Sequence, residues 1–200
     1  FLLIVLAVIW GSSFILMKKS MFDENHNELL TANEVASLRI FISRVVLFFV
    51  ALKKWNIVFS KDMVFLILVG LLGNLIPAFL FTHAEKTLSS SSTGILNSLV
   101  PLFSVLVAAF VFGQKISLKA FLGVLIGLSG TILLILFNAP TINSVAHYPS
   151  LLVVFATLCY AFSLNIIKNK LQHVSSITIT ALSLAFMLPF CAIHLIGFTD

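Results

Sequence analysis

Residues 63–82 read MVFLILVGLLGNLIPAFLFT, a run of 20 residues without a charged side chain. An α-helix needs about 20 apolar residues to cross the hydrocarbon core of a bilayer, which is roughly 30 Å thick. The run is continuous, whereas the strands of a membrane barrel alternate apolar and polar residues. A helix also satisfies its own backbone hydrogen bonds in lipid. This stretch therefore predicts a transmembrane helix.

The composition of the whole chain extends that prediction. Of its 200 residues, 60% are hydrophobic and 10% are charged, against about 45–50% and about 25% in soluble domains. A chain of this length cannot bury so much apolar surface in water, and it is too apolar to be disordered. The basic residues are scattered, so the net charge of +5 does not indicate nucleic-acid binding. We therefore expect an all-α polytopic membrane protein.

Seven apolar runs approach the length of a membrane span. They cover 1–17, 35–52, 63–82, 90–112, 118–137, 150–167 and 176–197. The first run could also be the apolar part of a signal peptide. The lack of a small-residue cleavage site favours a first transmembrane helix instead. Because the chain begins and ends at apolar runs, we expect it to be a fragment at both ends.

The distribution of lysine predicts the orientation. Lys and Arg in short loops stay on the cytoplasmic side. If the amino end is cytoplasmic, the inner loops 53–62, 113–119 and 168–174 hold seven lysines and the outer loops hold three. We therefore expect a multi-pass protein of the plasma (inner) membrane with a cytoplasmic N-terminus.

A weak internal repeat is visible. Five runs precede the polar segment 138–149, so a second copy of the same unit would be inverted in the membrane. Residues 7–19 align with 156–169. The alignment pairs Trp10 with Tyr160, Ser13 with Ser163 and Lys18 with Lys168. Inverted repeats are typical of secondary transporters, which bind substrate near the bilayer midplane between the two copies.

Two runs contain a proline near mid-depth, each preceded by an asparagine. Asn74 precedes Pro77 in the third run, and Asn97 precedes Pro101 in the fourth. A proline inside a helix frees the carbonyl four residues earlier, and such a group must meet protein or line a cavity. The pattern leaves two interpretations open, a polar cavity and an ordinary packing kink.

Two arginines lie inside the second run. A charge well inside a span costs about 2.5–3.5 kcal/mol on insertion scales. Arg39 is near the outer end, where it either reaches the membrane surface or pairs with Glu85 of the third run, as a gate or as a tie between helices. Arg44 lies deeper, and we expect it to face protein or water.

Patterns of catalysis and metal binding are missing from the sequence. It contains no H-E-x-x-H, Walker, C-x-x-C or G-x-S-x-G motif. We therefore expect no catalytic residues, no metal and no cofactor, and hence no enzyme. A seven-helix receptor or structural module and a polytopic membrane enzyme are the alternatives to a transporter.

Four motifs occur in a familiar order. They are WGSSF at 10–14, ASLRIF at 36–41, STGILNSLVPLFSVLVAAFVFGQKIS at 92–117 and GxxxGxxG at 123–130. This set resembles the EamA-type drug/metabolite transporter superfamily. The resemblance implies ten helices in two inverted five-helix repeats. Seven would be present here: 1–137 as the first repeat, 138–149 as the outer connecting loop and 150–200 as two helices of a truncated second repeat.

The resemblance also implies a function and a site. It implies export or exchange of small metabolites or drugs by alternating access through a central cavity. Arg39 matches the span-two arginine of the family, whereas Gln114 stands where the family usually has a glutamate. We expect a substrate cavity lined by Trp10, Ser13, Asn74, Pro77, Asn97, Pro101 and Tyr160, with Arg39, Arg44 and Glu85 in a gate or ion pair.

Two points stay open at this stage. For Trp10 and Ser13, an apolar packing stripe along one face of the first helix is the alternative to a cavity role. The expected partners are a small-molecule substrate and the lipid bilayer, with no nucleic acid. A homodimer is the open alternative to a monomer.

Overall fold

The computed structural model describes residues 2–23, 25, 27–59, 61–137 and 147–197. Helices account for 82% of the structure, and the described residues form no strand. The ten α-helices are α1 (Leu2–Met21), α2 (Ala32–Val46), α3 (Phe48–Lys53), α4 (Met63–Gly70), α5 (Ile76–Glu85), α6 (Ser90–Asn97), α7 (Val100–Phe110), α8 (Leu118–Phe137), α9 (His147–Lys170) and α10 (Ser176–Gly197). The predicted all-α class is confirmed.

Five helical stretches are long and apolar enough to cross a membrane. They are Ile4–Met21, Met63–Glu85, Ser90–Phe110, Tyr148–Lys170 and Ser176–Ile193. The second predicted run is not among them, because it is divided at Leu47 into α2 and the short α3. Among the described residues of α8, the apolar stretch is Leu118–Gly130. The chain is a multi-pass membrane protein, and its arrangement as seven of ten helices in inverted repeats stays a prediction.

The segment 138–149, predicted as an outer connecting loop, lies mostly outside the described residues. Its last three residues form the first turn of α9, which begins at His147. The predicted limits of the two repeats therefore stay predictions.

The two proline-containing runs are interrupted where the sequence indicates. A π-helical turn, Leu71–Leu75, separates α4 from α5, and Pro77 is the second residue of α5. In the fourth run α6 ends at Asn97, and Pro101 is the second residue of α7. Proline is tolerated in the first turn of a helix because no intrahelical partner awaits its missing N–H there. Both interruptions lie next to the asparagines predicted for the cavity.

The chain crosses the bundle back and forth, so the helix ends lie at two opposite ends of the bundle. We name each end after a residue that lies there, the Glu85 end and the Gln114 end. At the Glu85 end, Nζ of Lys86 lies 2.8 Å from Oε1 of Glu28, joining the region after α5 to the loop before α2. At the Gln114 end, Nε2 of His173 lies 2.8 Å from Oδ2 of Asp62, joining the loops before α10 and α4. The lysine count predicts that the Gln114 end is cytoplasmic.

Local sequence sets the helix boundaries at both ends. Thr31 and Glu34 form a capping box at the start of α2, in which the Thr31 side chain accepts from the Glu34 N–H and the Glu34 carboxylate accepts from the Thr31 N–H. After α7, Gly113 has φ +62°, a conformation that glycine adopts without a steric penalty. The resulting turn directs Gln114 towards α9.

Helix α9 lies at the centre of the bundle, against α5, α6, α7 and the π-helical turn, while α10 packs against α2 and α4. Three apolar clusters fill the described part of the bundle, and two of them lie on either side of mid-depth. The Glu85-end cluster consists of Met17, Met21, Ala32, Val35, Phe81, Ala84, Leu88, Leu96, Val153 and Ala156. The Gln114-end cluster consists of Ala51, Leu66, Val69, Ile166, Leu171, Ile179, Ala181 and Leu182.

Candidate functional site

A cavity of about 530 Å³ lies between the two apolar clusters, within the range of about 300–1,000 Å³ typical of small-molecule sites. Its polar lining comprises Ser13, Arg39, Asn74, Asn97, Tyr160, Ser163, Thr180 and Ser183. Its apolar lining comprises Trp10, Phe14, Val69, Gly73, Phe81, Val100, Leu164, Ile167 and Ile179. Side chains from seven stretches of the chain, far apart in sequence, therefore meet at one site.

Aromatic side chains close the cavity towards the Glu85 end. The ring centroids of Phe14 and Phe81 are 5.6 Å apart, and those of Phe81 and Tyr160 are 5.9 Å apart. Both distances are in the range of favourable aromatic pairs. Phe81 belongs to the Glu85-end cluster, and the other two rings pack against it. These three rings, contributed by α1, α5 and α9, form the barrier between the cavity and that end.

The barrier towards the Gln114 end combines apolar packing with amide hydrogen bonds. Val69 and Ile179 line the cavity and belong to the Gln114-end cluster. Beyond them, Nε2 of Gln114 donates to Oδ1 of Asn169 at 2.9 Å, and Nζ of Lys168 donates to Oε1 of Gln114 at 3.2 Å. The segment after α7 is thus tied to the last turn of α9.

The third helical stretch approaches its neighbours most closely in the middle of the cavity wall. A Cβ atom at Gly70 would lie 2.7 Å from the backbone oxygen of Ser183, and one at Gly73 would collide with Oγ of Ser163. One residue further on, Nδ2 of Asn74 donates to Oγ of Ser183 at 3.5 Å. Only glycine fits at the first two positions, so they set the distance from this stretch to α9 and α10.

The cavity carries a positive charge. Among the described residues that line it, Arg39 is the only charged one. Its side chain is exposed to the cavity, and Nη1 donates to Sδ of Met17 at 2.8 Å. The part of the chain that the structure describes contains no group of three His, Cys, Asp or Glu side chains that could hold a metal ion. The available ligand chemistry is one guanidinium, neutral hydrogen-bonding groups and aromatic surface.

The structure brings together five of the seven residues predicted for the cavity. Trp10, Ser13, Asn74, Asn97 and Tyr160 all line it, although their contact with a substrate stays a prediction. Trp10 lines the cavity while being 57% exposed, and its role there stays a prediction.

The two prolines are placed differently. Pro101 lines a second pocket of about 930 Å³ between α1 and the fourth stretch, which shares Trp10 and Asn97 with the cavity. Pro77 is buried, and the cavity lining does not include it. It lies one turn beyond Asn74, so its effect on the cavity is through the path of the helix.

The predicted gate residues do not form an ion pair in this conformation. Glu85 is 0% exposed, and neither of its carboxyl oxygens has a hydrogen-bond partner. The Arg39 guanidinium instead contacts Met17. Arg44 is 7% exposed, as expected for a residue that faces protein, and its guanidinium lies 5.3 Å from the centre of the Phe48 ring. The hypothesis of an Arg39–Glu85 pair thus lacks a contact to support it here.

Three polar lining residues were not predicted from the sequence. Thr180 and Ser183 are three residues apart in the seventh run, a spacing that places them on one helix face. Ser163 is the partner of Ser13 in the repeat alignment. Both signals were present, so a search for small polar residues at helical spacing would have found all three.

Comparison with known proteins identifies the family. A family model described as the EamA-like transporter family matches residues 1–136. The chain is 24% identical over 182 residues to the uncharacterized transporter YoaV of Bacillus subtilis (strain 168), covering 90% of this chain and 60% of YoaV. It is 26% identical over 164 residues to the uncharacterized transporter YetK of the same organism, covering 78% of this chain and 50% of YetK.

The chain therefore spans between half and three-fifths of these relatives' length. A crystal structure of another protein has the same fold, with a TM-score of 0.64 at 20% identity, over 97% of this chain and 65% of that one. Because the family model matches well over half of the sequence, the chain belongs to the EamA-like transporter family.

Proposed function

We propose that the protein is a secondary transporter that moves a small organic solute with a carboxylate or a similar anionic group, by alternating access and without covalent chemistry. The observation that carries this proposal is a cavity at mid-depth whose charged lining residue is Arg39. The family of transporters to which the chain belongs favours transport over catalysis. The proposal includes a plasma-membrane location with the N-terminus in the cytoplasm.

The cavity chemistry supports an anionic and partly apolar solute. A guanidinium presents two parallel N–H donors that match the two oxygens of a carboxylate. Asn74, Asn97 and Tyr160 offer further hydrogen bonds, while Trp10 and Phe14 offer aromatic surface. A cationic solute would leave Arg39 facing a like charge, so the cavity selects against it.

The closure at both ends supports alternating access. The cavity lies between two apolar clusters, and opening either one would connect it to one side of the membrane. The inverted-repeat proposal agrees with the cavity wall, because two of the three residue pairs of the sequence alignment line it. The pairs are Trp10 with Tyr160 and Ser13 with Ser163. We propose that the repeats 1–137 and 150–200 rock against each other about this seam.

The test is exchange in liposomes reconstituted with the full-length protein. Liposomes would be loaded with phenylalanine, succinate, glucose or choline, and uptake of the same radiolabelled compound would be measured. We expect exchange of a carboxylate-bearing compound. It should fall by about 100-fold in Arg39→Gln, since removing one partner of a buried charge pair costs about 2–5 kcal/mol.

Arg44→Gln is the matched control, because it removes the same charge from the same helix but from outside the cavity. The exchange rates of Arg44→Gln and Arg39→Gln are to be compared at equal amounts of folded protein. Exchange of choline or glucose alone, or an unchanged rate in Arg39→Gln, would overturn the proposed solute class.

A further inference from the structure

Glu85 is a buried carboxyl group that no hydrogen bond satisfies. It is 0% exposed, and Oε1 and Oε2 both lack a partner. It lies one helical turn beyond Phe81, so it is on the far side of the aromatic barrier from the cavity. Burying an ionised carboxylate without partners costs far more than burying a neutral group. The burial of this residue therefore needs a chemical explanation.

The two nearest cations make other contacts. Lys18 and Arg39 are close enough to Glu85 to act on it electrostatically. Nζ of Lys18, however, donates to the backbone oxygen of Leu88 at 2.7 Å, and Nη1 of Arg39 donates to Sδ of Met17 at 2.8 Å. A carboxylate would be the stronger acceptor for both. Their use of a carbonyl and a thioether fits a Glu85 side chain without a negative charge.

Among the described residues, the remaining titratable groups around α5 do not satisfy Glu85 either. They are Lys86 paired with Glu28, His83 bonded to Asn33, Glu34 in the cap with Thr31, Arg44 against Phe48, Tyr160 at the cavity wall, buried Cys159 and exposed Lys19. None donates a hydrogen bond to the Glu85 carboxyl.

We propose that Glu85 is a proton-binding site that couples closure of the Glu85 end to proton uptake. This inference rests on the proposed transport function. In the closed conformation the carboxyl carries a proton. When the Glu85-end cluster separates, water reaches the group, its O–H bond breaks and the proton passes to water on that side. The carboxylate then faces Lys18 and Arg39, and closure requires a proton to return.

A direct test is infrared difference spectroscopy of the full-length protein as the pH is raised, which needs no substrate. We expect the C=O band of a buried carboxylic acid in the unaltered protein. The band should be missing in Glu85→Gln. It should persist in the matched control Glu28→Gln, which removes an exposed acid at the same end. A spectrum without the band, or a band that survives in Glu85→Gln, would refute the proton site.

A second test measures this coupling in liposomes as the pH dependence of exchange. We expect exchange to slow by about tenfold per pH unit once the pH on the Glu85 side exceeds the midpoint at which the infrared band disappears, because only the protonated form closes. Glu85→Gln should lose this pH dependence, whereas Glu28→Gln keeps it. The same pH dependence in Glu85→Gln would overturn the coupling. If no compound of the panel is exchanged at all, the transport proposal fails while the infrared result still decides whether Glu85 binds a proton.

Discussion

The two ends of the bundle close the same cavity by different physical means. At the Glu85 end, three aromatic rings tilted against one another lie beneath a buried carboxyl group with two nearby cations. At the Gln114 end, an apolar cluster is tied by hydrogen bonds between exposed side chains, with Gln114 at their centre. Exposed polar contacts contribute little free energy, whereas buried ones are costly to rearrange. For the proposed alternating-access cycle, we therefore expect the Glu85 end to set the larger barrier.

The largest effect is expected from Phe81→Ala. It removes a buried ring that contacts both Phe14 and Tyr160, and truncation of a buried Phe costs about 3–5 kcal/mol. We expect a lower melting temperature and a cavity that stays open to the Glu85 side. Phe110→Ala is the control, because that ring is 83% exposed. Equal melting temperatures for the two variants would show that the aromatic barrier does not hold this end closed.

The next largest effect on stability is expected at Gly70, in the third helical stretch between the two ends of the bundle. Gly70→Ala places a Cβ against the backbone oxygen of Ser183 and the Met187 side chain. Overpacking of this kind costs about 1–3 kcal/mol. In the control Gly123→Ala the Cβ meets nothing within 4 Å, and alanine should stabilise that helix by about 0.5–1 kcal/mol. Thermal unfolding in detergent should show opposite signs, and a stabilised Gly70→Ala would contradict the close approach.

The smallest effect is expected at the Gln114 end. Gln114→Ala would remove both the acceptor of Lys168 and the donor to Asn169, and a hydrogen bond contributes about 0.5–1.5 kcal/mol. We expect looser closure of this end and exchange accelerated by up to about fivefold, measured in liposomes. Gln114→Glu keeps an acceptor for Lys168 but loses the donor to Asn169, so its rate should lie between those of Gln114→Ala and the unaltered protein. A change of more than 100-fold in Gln114→Ala would mean that this end, rather than the Glu85 end, sets the barrier.

The sequence predicts the helices better than it predicts the contacts between them. Hydropathy located five helical stretches that could cross a membrane among the described residues, because each depends on about 20 consecutive residues. The second run is divided at Leu47 into α2 and the short α3, and its membrane span stays a prediction. Trp10, Asn97 and Tyr160 were predictable for the cavity from helical spacing, proline positions and the repeat alignment.

The sequence could not reveal which side chains meet, because this depends on the relative depth and rotation of the helices. Arg39 and Glu85 are near each other, yet the Arg39 guanidinium contacts Met17 rather than the Glu85 carboxyl. This contact depends on how α1, α2 and α5 pack together. Likewise, Pro77 shapes the third stretch without lining the cavity, because the π-helical turn before it shifts the lining face to Gly73 and Asn74.

The central claim is that the cavity opens at one end at a time. Its most direct test is labelling of Asn97→Cys, in a protein with Cys159→Ala and Cys191→Ala, by a membrane-impermeant thiol reagent applied to one face of the membrane. We predict reaction from either face, but only from the Glu85 face once Gln114→Cys and Asn169→Cys are cross-linked. Reaction from neither face, or unchanged reaction from both after cross-linking, would contradict the account.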